Sequence, residues 1–237
     1  MDNVIHDLGT LPTDEAELMA KFNVCPPRDN SGGKGKSARI GFGSPERVVF
    51  FQTPRVYCPF GTDTFKTDSG FEKLTLLISI RKDAKGADDF VRLVKAMDNA
   101  LIQAAFENQD AWFGTAAKDY KSIDIIRDRH HPLLQERDGY EPQLKLKITE
   151  NQTQIYDKTN NMERIDGHSV PEKITGRGII AFGPAWSAGG KFGVQARCEQ
   201  FMVITTGTAR KRALDVCVLK DDDDDECAVP PAEAASP

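Results

Sequence analysis

The residues best suited to chemistry lie in one stretch near the end of the chain, from Pro171 to Arg212. This stretch holds seven basic and two acidic side chains, a net charge of +5, and aromatic residues are interleaved with the basic ones. Aromatic rings stack on the bases of a single-stranded nucleic acid, at about 1–3 kcal/mol per base, while lysines and arginines bind its phosphates. The mixture therefore predicts an interface for single-stranded nucleic acid.

Strand alternation selects the side chains that face solvent. It places Arg197 on the exposed face of a strand predicted over 192–204, and Lys145 and Lys147 on the exposed face of a strand over 143–148. These three residues and six further basic or aromatic residues form the predicted DNA-binding set: Arg55, Tyr57, Lys145, Lys147, Arg177, Trp186, Lys191, Phe192 and Arg197.

A second interpretation stays open for the aromatic residues. Phe182, Phe192 and Phe201 all lie in predicted strands, so they could equally form the core, with the basic residues merely solvated. Phe201 fits the core best and is left out of the predicted interface.

Motifs for catalysis are not found. Residues 31–37 (SGGKGKS) resemble a phosphate-binding loop, but Asn30 stands where the motif needs its first glycine, and no strand is predicted before it. No nucleophile elbow, zinc-protease motif, dinucleotide fingerprint or paired-carboxylate motif occurs elsewhere. The sequence therefore predicts a protein that is not an enzyme and has no cofactor and no metal.

The cysteines and histidines favour an intracellular protein without a metal site. The five cysteines include no C-x-x-C pair, which is typical of reduced thiols in a cytosolic or nuclear setting. The adjacent His130 and His131 are interpreted as surface residues. No apolar run approaches the length of about 18 residues that a membrane span needs, and the first residues carry no secretion signal.

The elements predicted to position the candidate binding residues are mostly strands. Helical spacing of apolar residues predicts one substantial helix from Asp88 to about Asn108. Alternation and buried apolar runs predict strands at 48–51, 55–60, 74–80, 123–126, 143–148, 155–157, 174–182 and 192–204. Many strands with one helix indicate a mainly β (α+β) fold, a barrel or a sandwich with a helical insert.

Composition divides the chain into three parts. Residues 1–46 are predicted to be a flexible arm, 47–212 the binding domain and 213–237 an acidic, disordered tail. The net charge of −5 separates into +2 for residues 1–220 and −7 for the last seventeen. An acidic run of this kind is usually a solubilising tail. In a second interpretation, the tethered polyanion competes with nucleic acid for a nearby cationic groove. The regulatory residues would be Asp221, Asp222, Asp223, Asp224, Asp225 and Glu226.

The order of features resembles a known family. The matching features are the strand 73–80, the helix 88–108, the Tyr-x-Pro-x-Leu-Lys-Leu-Lys strand at 140–147, Tyr156-Asp157, the Gly-Arg-Gly strand at 176–178, a tryptophan, Lys191-Phe192-Gly193 and the last strand. They are similar to those of the single-stranded-DNA-binding proteins of nucleocytoplasmic large DNA viruses, which are related to the acidic-tailed phage type. The resemblance covers roughly residues 45–205 and the tail.

The resemblance implies a function that composition does not specify. It implies an oligonucleotide/oligosaccharide-binding (OB) barrel with a helix inserted between strands. It also implies sequence-nonspecific binding of single-stranded DNA in viral replication, recombination and repair, at a replication site in the host cytoplasm or nucleus. Replication proteins would bind the tail, and a homo-oligomer is compatible with this. The tail ends in Ala-Ala-Ser-Pro, not in the aromatic residue of phage tails, which puts aromatic-anchored docking in doubt.

Two other functions stay open from the sequence. A structural or assembly protein of a virion or of chromatin could use the acidic tail to bind basic partners. An RNA-binding module would use the same cationic and aromatic surface, because only contacts to the 2′-hydroxyl separate RNA from DNA.

Overall fold

The computed structural model describes residues 5–44, 48, 50–66 and 72–206 of the chain. These residues belong to a first unit over 1–207, and a second unit comprises 208–237. Residues 210–220, whose sequence has weak helical character, and the predicted regulatory residues Asp221 to Glu226 lie outside the described residues, so the regulatory role remains a prediction.

Most described elements are short strands. The first eight are β1 (Ile5–His6), β2 (Phe22–Val24), β3 (Arg28–Asp29), β4 (Lys36–Ala38), β5 (Ile40–Phe42), β6 (Phe50–Gln52), β7 (Val56–Cys58) and β8 (Thr62–Lys66). The next ten are β9 (Glu72–Ile80), β10 (His130–His131), β11 (Leu134–Gln135), β12 (Gln143–Ile148), β13 (Gln154–Asp157), β14 (Glu163–Ile165), β15 (Ile174–Phe182), β16 (Ala185–Ala188), β17 (Lys191–Gly193) and β18 (Ala196–Thr206).

Helices occupy less of the described chain. The α-helices are α1 (Glu15–Ala20), α2 (Ala87–Glu107), α3 (Gln109–Phe113) and α4 (Ile123–Arg129). Short 3-10 helices lie at Leu8–Thr10, Gly114–Asp119, Lys158–Asn160 and Gly167–Ser169. The mainly β composition with one long helix is the fold class predicted from the sequence.

Five strands close into a barrel. Going round the ring, β7 pairs with β9, β9 with β12, β12 with β18, β18 with β15, and β15 with β7. The β12–β18 pair is parallel and the other four are antiparallel. In chain order the ring reads first, second, third, fifth, fourth, which is the OB arrangement. The predicted OB-like barrel is therefore confirmed, and α2 lies between its second and third strands.

The Gly-Arg-Gly sequence in β15 makes room for a phenylalanine inside the barrel. A Cβ at Gly176 would lie 2.4 Å from the Phe201 ring, and one at Gly178 would lie 3.2 Å from it. The β15–β18 register shifts twice, between Thr175 and Gly176 and between Ile179 and Ile180, and Phe201 is buried. The assignment of Phe201 to the core is confirmed, and the glycines serve core packing.

The long helix α2 runs from Ala87 to Glu107, so each of its ends lies one residue before the predicted one. Its buried face carries the predicted stripe of Phe90, Val94, Met97, Leu101 and Ala105. The N-cap is Gly86, with φ 82°, and Asp88 lies in the first turn, where the positive end of the helix dipole favours a carboxylate.

The N-terminal segment differs from the flexible arm predicted over 1–46. Within residues 5–44 it forms α1 and five short strands, and Leu18, Phe22 and Phe42 are buried. The rings of Phe22 and Phe42 are 4.9 Å apart, and Phe42 contacts Phe51 at 5.3 Å. Elements of two to six residues are too short to show periodicity, so their order comes from packing of these aromatic rings and was not visible in the pattern.

The strand predicted at 123–126 is wrong. These residues begin α4, which extends to Arg129 and buries Ile126, while Asp124 and Arg127 form an ion pair of 3.0 Å on its surface. The isoleucines suggested a strand through their β-branched side chains, but β propensity yields to the packing context. Here α4 packs against α2.

Two cysteines are buried in the barrel as free thiols. Burial raises the pKa of Cys58 from an ordinary value of 9.0 to about 12, and it also raises the pKa of Cys198. The unfolded chain would release these protons near pH 9, whereas the folded chain holds them. Stability from this source is complete below about pH 9 and is lost as the pH rises toward 12.

We expect the urea-unfolding free energy to fall between about pH 8 and about pH 10 by about 1.4 kcal/mol through Cys58 alone. Cys58→Ala removes this contribution, so its free energy should fall by that much less over the same interval. The fall in unfolding free energy between the two pH values is compared for the unaltered chain and the variant. The destabilisation caused by the cavity is the same at both pH values, so it cancels in this comparison. Equal pH differences for the two chains would contradict the prediction.

Candidate nucleic-acid interface

Two lysines project from the outside of the barrel on β12. Leu144, Leu146 and Ile148 are buried on the inner face of this strand, so alternation turns Lys145 and Lys147 outward. In the neighbouring strand β9, Leu77 lies opposite Lys145 and Thr75 lies opposite Lys147. The predicted placement of both lysines on one exposed face is what the structure shows.

The β16–β17 hairpin brings an aromatic ring toward these lysines. Its turn is Gly189-Gly190, with φ 59° and 74°, values that suit glycine in a two-residue hairpin. Trp186 lies opposite Gly193 in the hairpin, and His131 of β10 lies opposite Gly193 on the other side. The rings of His131 and Trp186 are 6.3 Å apart.

Lysines and tryptophan line one groove of about 320 Å³. Its lining residues are Thr75, His131, Pro132, Leu133, Gln135, Lys145, Lys147, Trp186, Val194 and Gln195. No aspartate or glutamate is among these lining residues. Within the described part of the chain, neither lysine forms an ion pair. We call this the lysine groove; its two ammonium groups are available for an anionic ligand.

Gly193 is needed for the groove to form. A Cβ at this position would lie 2.8 Å from the carbonyl oxygen of His131 and 3.3 Å from the Trp186 ring. Any larger residue would push β10 or the indole aside. The Lys-Phe-Gly sequence is one of the features that carry the family resemblance, but the sequence alone predicts no role for its glycine.

Phe192 is not a stacking residue, which corrects the prediction. Its side chain is 0% exposed, and its ring packs against Trp112, Phe113 and His130 at 5.9, 5.6 and 5.3 Å. The hairpin has two faces, and α3 covers the face that carries Phe192. Phe182 is buried as well, so the core interpretation holds for all three phenylalanines that it named.

A buried polar pair lies beneath the groove. His130, predicted as a surface residue, has only 4% of its side chain exposed, and its Nε2 lies 3.3 Å from Asp98 Oδ1 on α2. The other oxygen, Asp98 Oδ2, accepts a hydrogen bond of 3.0 Å from the backbone N–H of Leu133. Asp98 therefore fixes the segment that presents His131 and Leu133 to the groove.

Two further predicted residues lie near the lysine groove without lining it. Arg197 is directly opposite Lys147 in the β12–β18 pair, and it forms an ion pair of 3.1 Å with Glu199. Lys191 is exposed at the tip of the hairpin, opposite Ala188.

The structure separates the other three predicted residues from the groove. Tyr57 is half-buried on β7, two strands away from β12, and Arg55 is exposed just before that strand. Arg177 lines a different cavity of about 620 Å³ that also contains Asp7 and Asp89. Strand alternation shows which residues of a strand share a face, but it carries no information about which side of the barrel that face lies on.

Some groove residues were missed from the sequence. His131 was interpreted as a surface residue, and it is exposed, but it was not assigned to the interface. Thr75, Gln135 and Gln195 carried no signal at all. The described residues contain no cluster of ligating side chains that could hold a metal ion. In the same part of the chain, no helix has the length and apolar character to cross a membrane.

The groove can contact both parts of a nucleotide. The ammonium groups of Lys145 and Lys147 can bind phosphates, and the half-buried Trp186 offers a ring against which a base can stack. The amides of Gln135 and Gln195 add hydrogen-bonding groups that suit any base.

Comparisons with known proteins give the following. No model of a protein family matches the chain, and a search of curated proteins finds no match either. Among solved structures, a single-stranded DNA-binding protein from bacteriophage Enc34, in complex with single-stranded DNA, is similar with a TM-score of 0.44 at 9% identity. That match covers 78% of this chain and 97% of the phage protein.

A second similar structure is gp2.5, a single-stranded DNA-binding protein encoded by bacteriophage T7. Its TM-score is 0.45 at 11% identity, with 71% of this chain and 98% of the T7 protein covered. Both of these neighbours come from phages. The family of nucleocytoplasmic large DNA viruses, which the sequence resembles, is not shown by them and stays a prediction.

Proposed function

We propose that this protein binds single-stranded DNA without sequence preference. The observation that carries the proposal is the lysine groove on the outside of an OB barrel, where Lys145, Lys147 and Trp186 meet and where the described lining residues include no acidic one. Lysines bind phosphates whatever the base, and an indole ring stacks on every base. The activity proposed is binding alone, without catalysis or a cofactor.

The biological setting is a finer part of the same proposal. The motifs that resemble those of large DNA viruses support a role in viral DNA replication, recombination and repair. The protein would then act where viral DNA is copied, in the host cytoplasm or nucleus. A protein that coats single strands without sequence preference protects and presents them in all three processes.

The acidic tail is proposed to regulate binding. The last seventeen residues carry a charge of −7, and residues 1–220 carry +2. A polyanion joined to a cationic binding domain has a high effective concentration beside it and competes with DNA. Once DNA displaces it, the tail is free to recruit replication proteins.

Removal of the tail should strengthen binding. We expect a chain that ends at Lys220 to bind oligo-dT more tightly than the full chain at low salt, and the difference to shrink as salt screens both interactions. Fluorescence anisotropy of a labelled oligonucleotide over a salt series measures this. Weaker binding by the shortened chain would refute competition by the tail.

The binding proposal is tested by comparing ligands. Labelled oligo-dT, the same length of duplex DNA and the corresponding RNA are titrated with the full chain at several salt concentrations. We expect oligo-dT to bind more tightly than the duplex, with affinity that falls as salt rises.

Each other outcome has a definite meaning. Equal affinity for duplex and single strand, or no salt dependence, would contradict the proposal. Tighter binding of RNA would favour the RNA-binding alternative. Failure to bind any of the three would leave the structural or assembly role.

A further inference from the structure

A second cationic groove lies beside the lysine groove. It has a volume of about 590 Å³ and is lined by three arginines, Arg28, Arg39 and Arg197. Arg28 and Arg39 belong to the N-terminal segment that the sequence predicted to be a flexible arm. We call this second site the arginine groove.

Its charge is suited to an anionic ligand. No aspartate or glutamate is among the described lining residues. Arg197 is paired with Glu199, but its Nε is buried without a hydrogen-bond partner. Arg28 and Arg39 are exposed, and in the described part of the chain neither forms an ion pair. The cavity around Arg177 differs, because Asp7 and Asp89 contribute to its lining.

The floor of the arginine groove is apolar. Pro27, Phe182 and Pro184 contribute to its lining. Such a surface accepts the flat face of a base, and a guanidinium can stack over the other face while its neighbour binds a phosphate. The groove thus combines the same two kinds of contact as the lysine groove, with arginines in place of lysines.

Two strand pairs place lining residues of the two grooves side by side. Lys147 of the lysine groove lies directly opposite Arg197 of the arginine groove in the β12–β18 pair. Trp186 of the lysine groove lies directly opposite Ser37 of the arginine groove in the β16–β4 pair.

A backbone hydrogen bond is a third connection between the lysine groove and the arginine groove. The N–H of Gly183, in the arginine groove, donates to the carbonyl of Gln195, in the lysine groove, at 2.8 Å. Adjacent strands in a sheet are about 5 Å apart, so lining residues of the two grooves are direct neighbours at these positions.

We propose that the arginine groove holds the next nucleotides of the single strand that occupies the lysine groove. This inference rests on the proposed function and extends it. The N-terminal segment is then part of the DNA-binding surface, and the bound strand runs from Lys145 past Trp186 and Arg197 to Arg28 and Arg39. Short strands fill only one groove, whereas longer strands contact both.

The test is the dependence of binding on oligonucleotide length. The double variant Arg28→Ala/Arg39→Ala is titrated with dT oligomers of about 4 and about 16 nucleotides, the limits of the site size of one OB fold. Loss of two phosphate contacts should weaken binding of the longer oligomer by roughly 25-fold at ~0.1 M salt, and the short oligomer should lose less than about threefold. The charge-matched control is Lys158→Ala/Arg164→Ala, whose residues are exposed outside both grooves.

A second measurement needs no variant of the groove itself. Cys25 lines the arginine groove and is half-buried, whereas Cys58 and Cys198 are buried. In a chain carrying Cys217→Ser and Cys227→Ser, the longer oligomer should slow alkylation of Cys25 by about tenfold or more at saturation. The short oligomer at saturation should slow it much less.

The outcomes separate this inference from the proposed function. The arginine groove is overturned if the arginine variant loses the same affinity for both oligomers, or none, and if neither oligomer protects Cys25 from alkylation. Single-strand binding by the lysine groove would then still stand. Absence of binding by the unaltered chain would overturn both. Protection of Cys25 together with a length-dependent loss would support the continuous path.

Discussion

Replacing Lys145 and Lys147 together with alanine should weaken binding of oligo-dT by roughly 25-fold at ~0.1 M salt. Each phosphate contact on a single strand contributes about −0.7 to the slope of log affinity against log salt, because it releases counterions. Two lost contacts make the slope shallower by about 1.4, and this change in slope is the direct signature of phosphate binding. Fluorescence anisotropy at four or more salt concentrations measures it.

The control for this experiment carries the same change in charge. Lys158→Ala/Arg164→Ala removes two exposed basic residues outside the lysine groove, so its salt slope should stay close to that of the unaltered chain. Both lysines of β12 have their charged ends outside the barrel, and their removal should leave the urea-unfolding midpoint almost unchanged. If both double variants lose affinity equally, general charge and not the groove would determine binding.

Trp186→Ala should reduce affinity for oligo-dT by about 5- to 150-fold, the equivalent of 1–3 kcal/mol for one stacked base. The salt slope should not change, because the indole contacts no phosphate. The lysine variant is expected to change the slope, so the two substitutions separate stacking from charge. Affinity measured over the same salt series provides both quantities.

Two controls show that the loss comes from stacking. Trp186→Phe keeps an aromatic face and should recover most of the affinity. Thermal unfolding monitored by circular dichroism should show that Trp186→Ala still folds cooperatively, since Trp186 is half-buried whereas the neighbouring Trp112 is buried. An unfolded variant would assign Trp186 to the core, and unchanged affinity in a folded variant would remove it from the interface.

The sequence was sufficient to predict an element wherever the regular spacing of its apolar residues determined that element. Leucines and isoleucines two residues apart in β12 predicted a strand, and the same period turned Lys145 and Lys147 outward. The apolar stripe of α2 predicted that helix to within one residue at each end. In both cases the residues that determine the element are neighbours in the chain, so no knowledge of distant contacts was needed.

The N-terminal segment could not be predicted in the same way. Its strands have two or three residues each, and they are ordered by aromatic contacts such as Phe42 with Phe51 and by pairing of β4 with β16. Those contacts join residues far apart in sequence. Glycine, proline and charge dominated the composition and gave the appearance of a flexible arm.

By itself, the sequence determined the class of fold, the helix, the outward direction of the barrel lysines and the mixture of cationic and aromatic residues. Only the tertiary structure decided which of them share a groove. It brought Lys145, Lys147 and Trp186 together, moved Arg177 to another cavity and buried Phe192 under α3. The alternation of side chains along a strand predicts that two neighbouring residues face opposite sides of the sheet. Which face becomes covered depends on elements that arrive from elsewhere in the chain, because burial is a property of the packed whole and not of a local pattern.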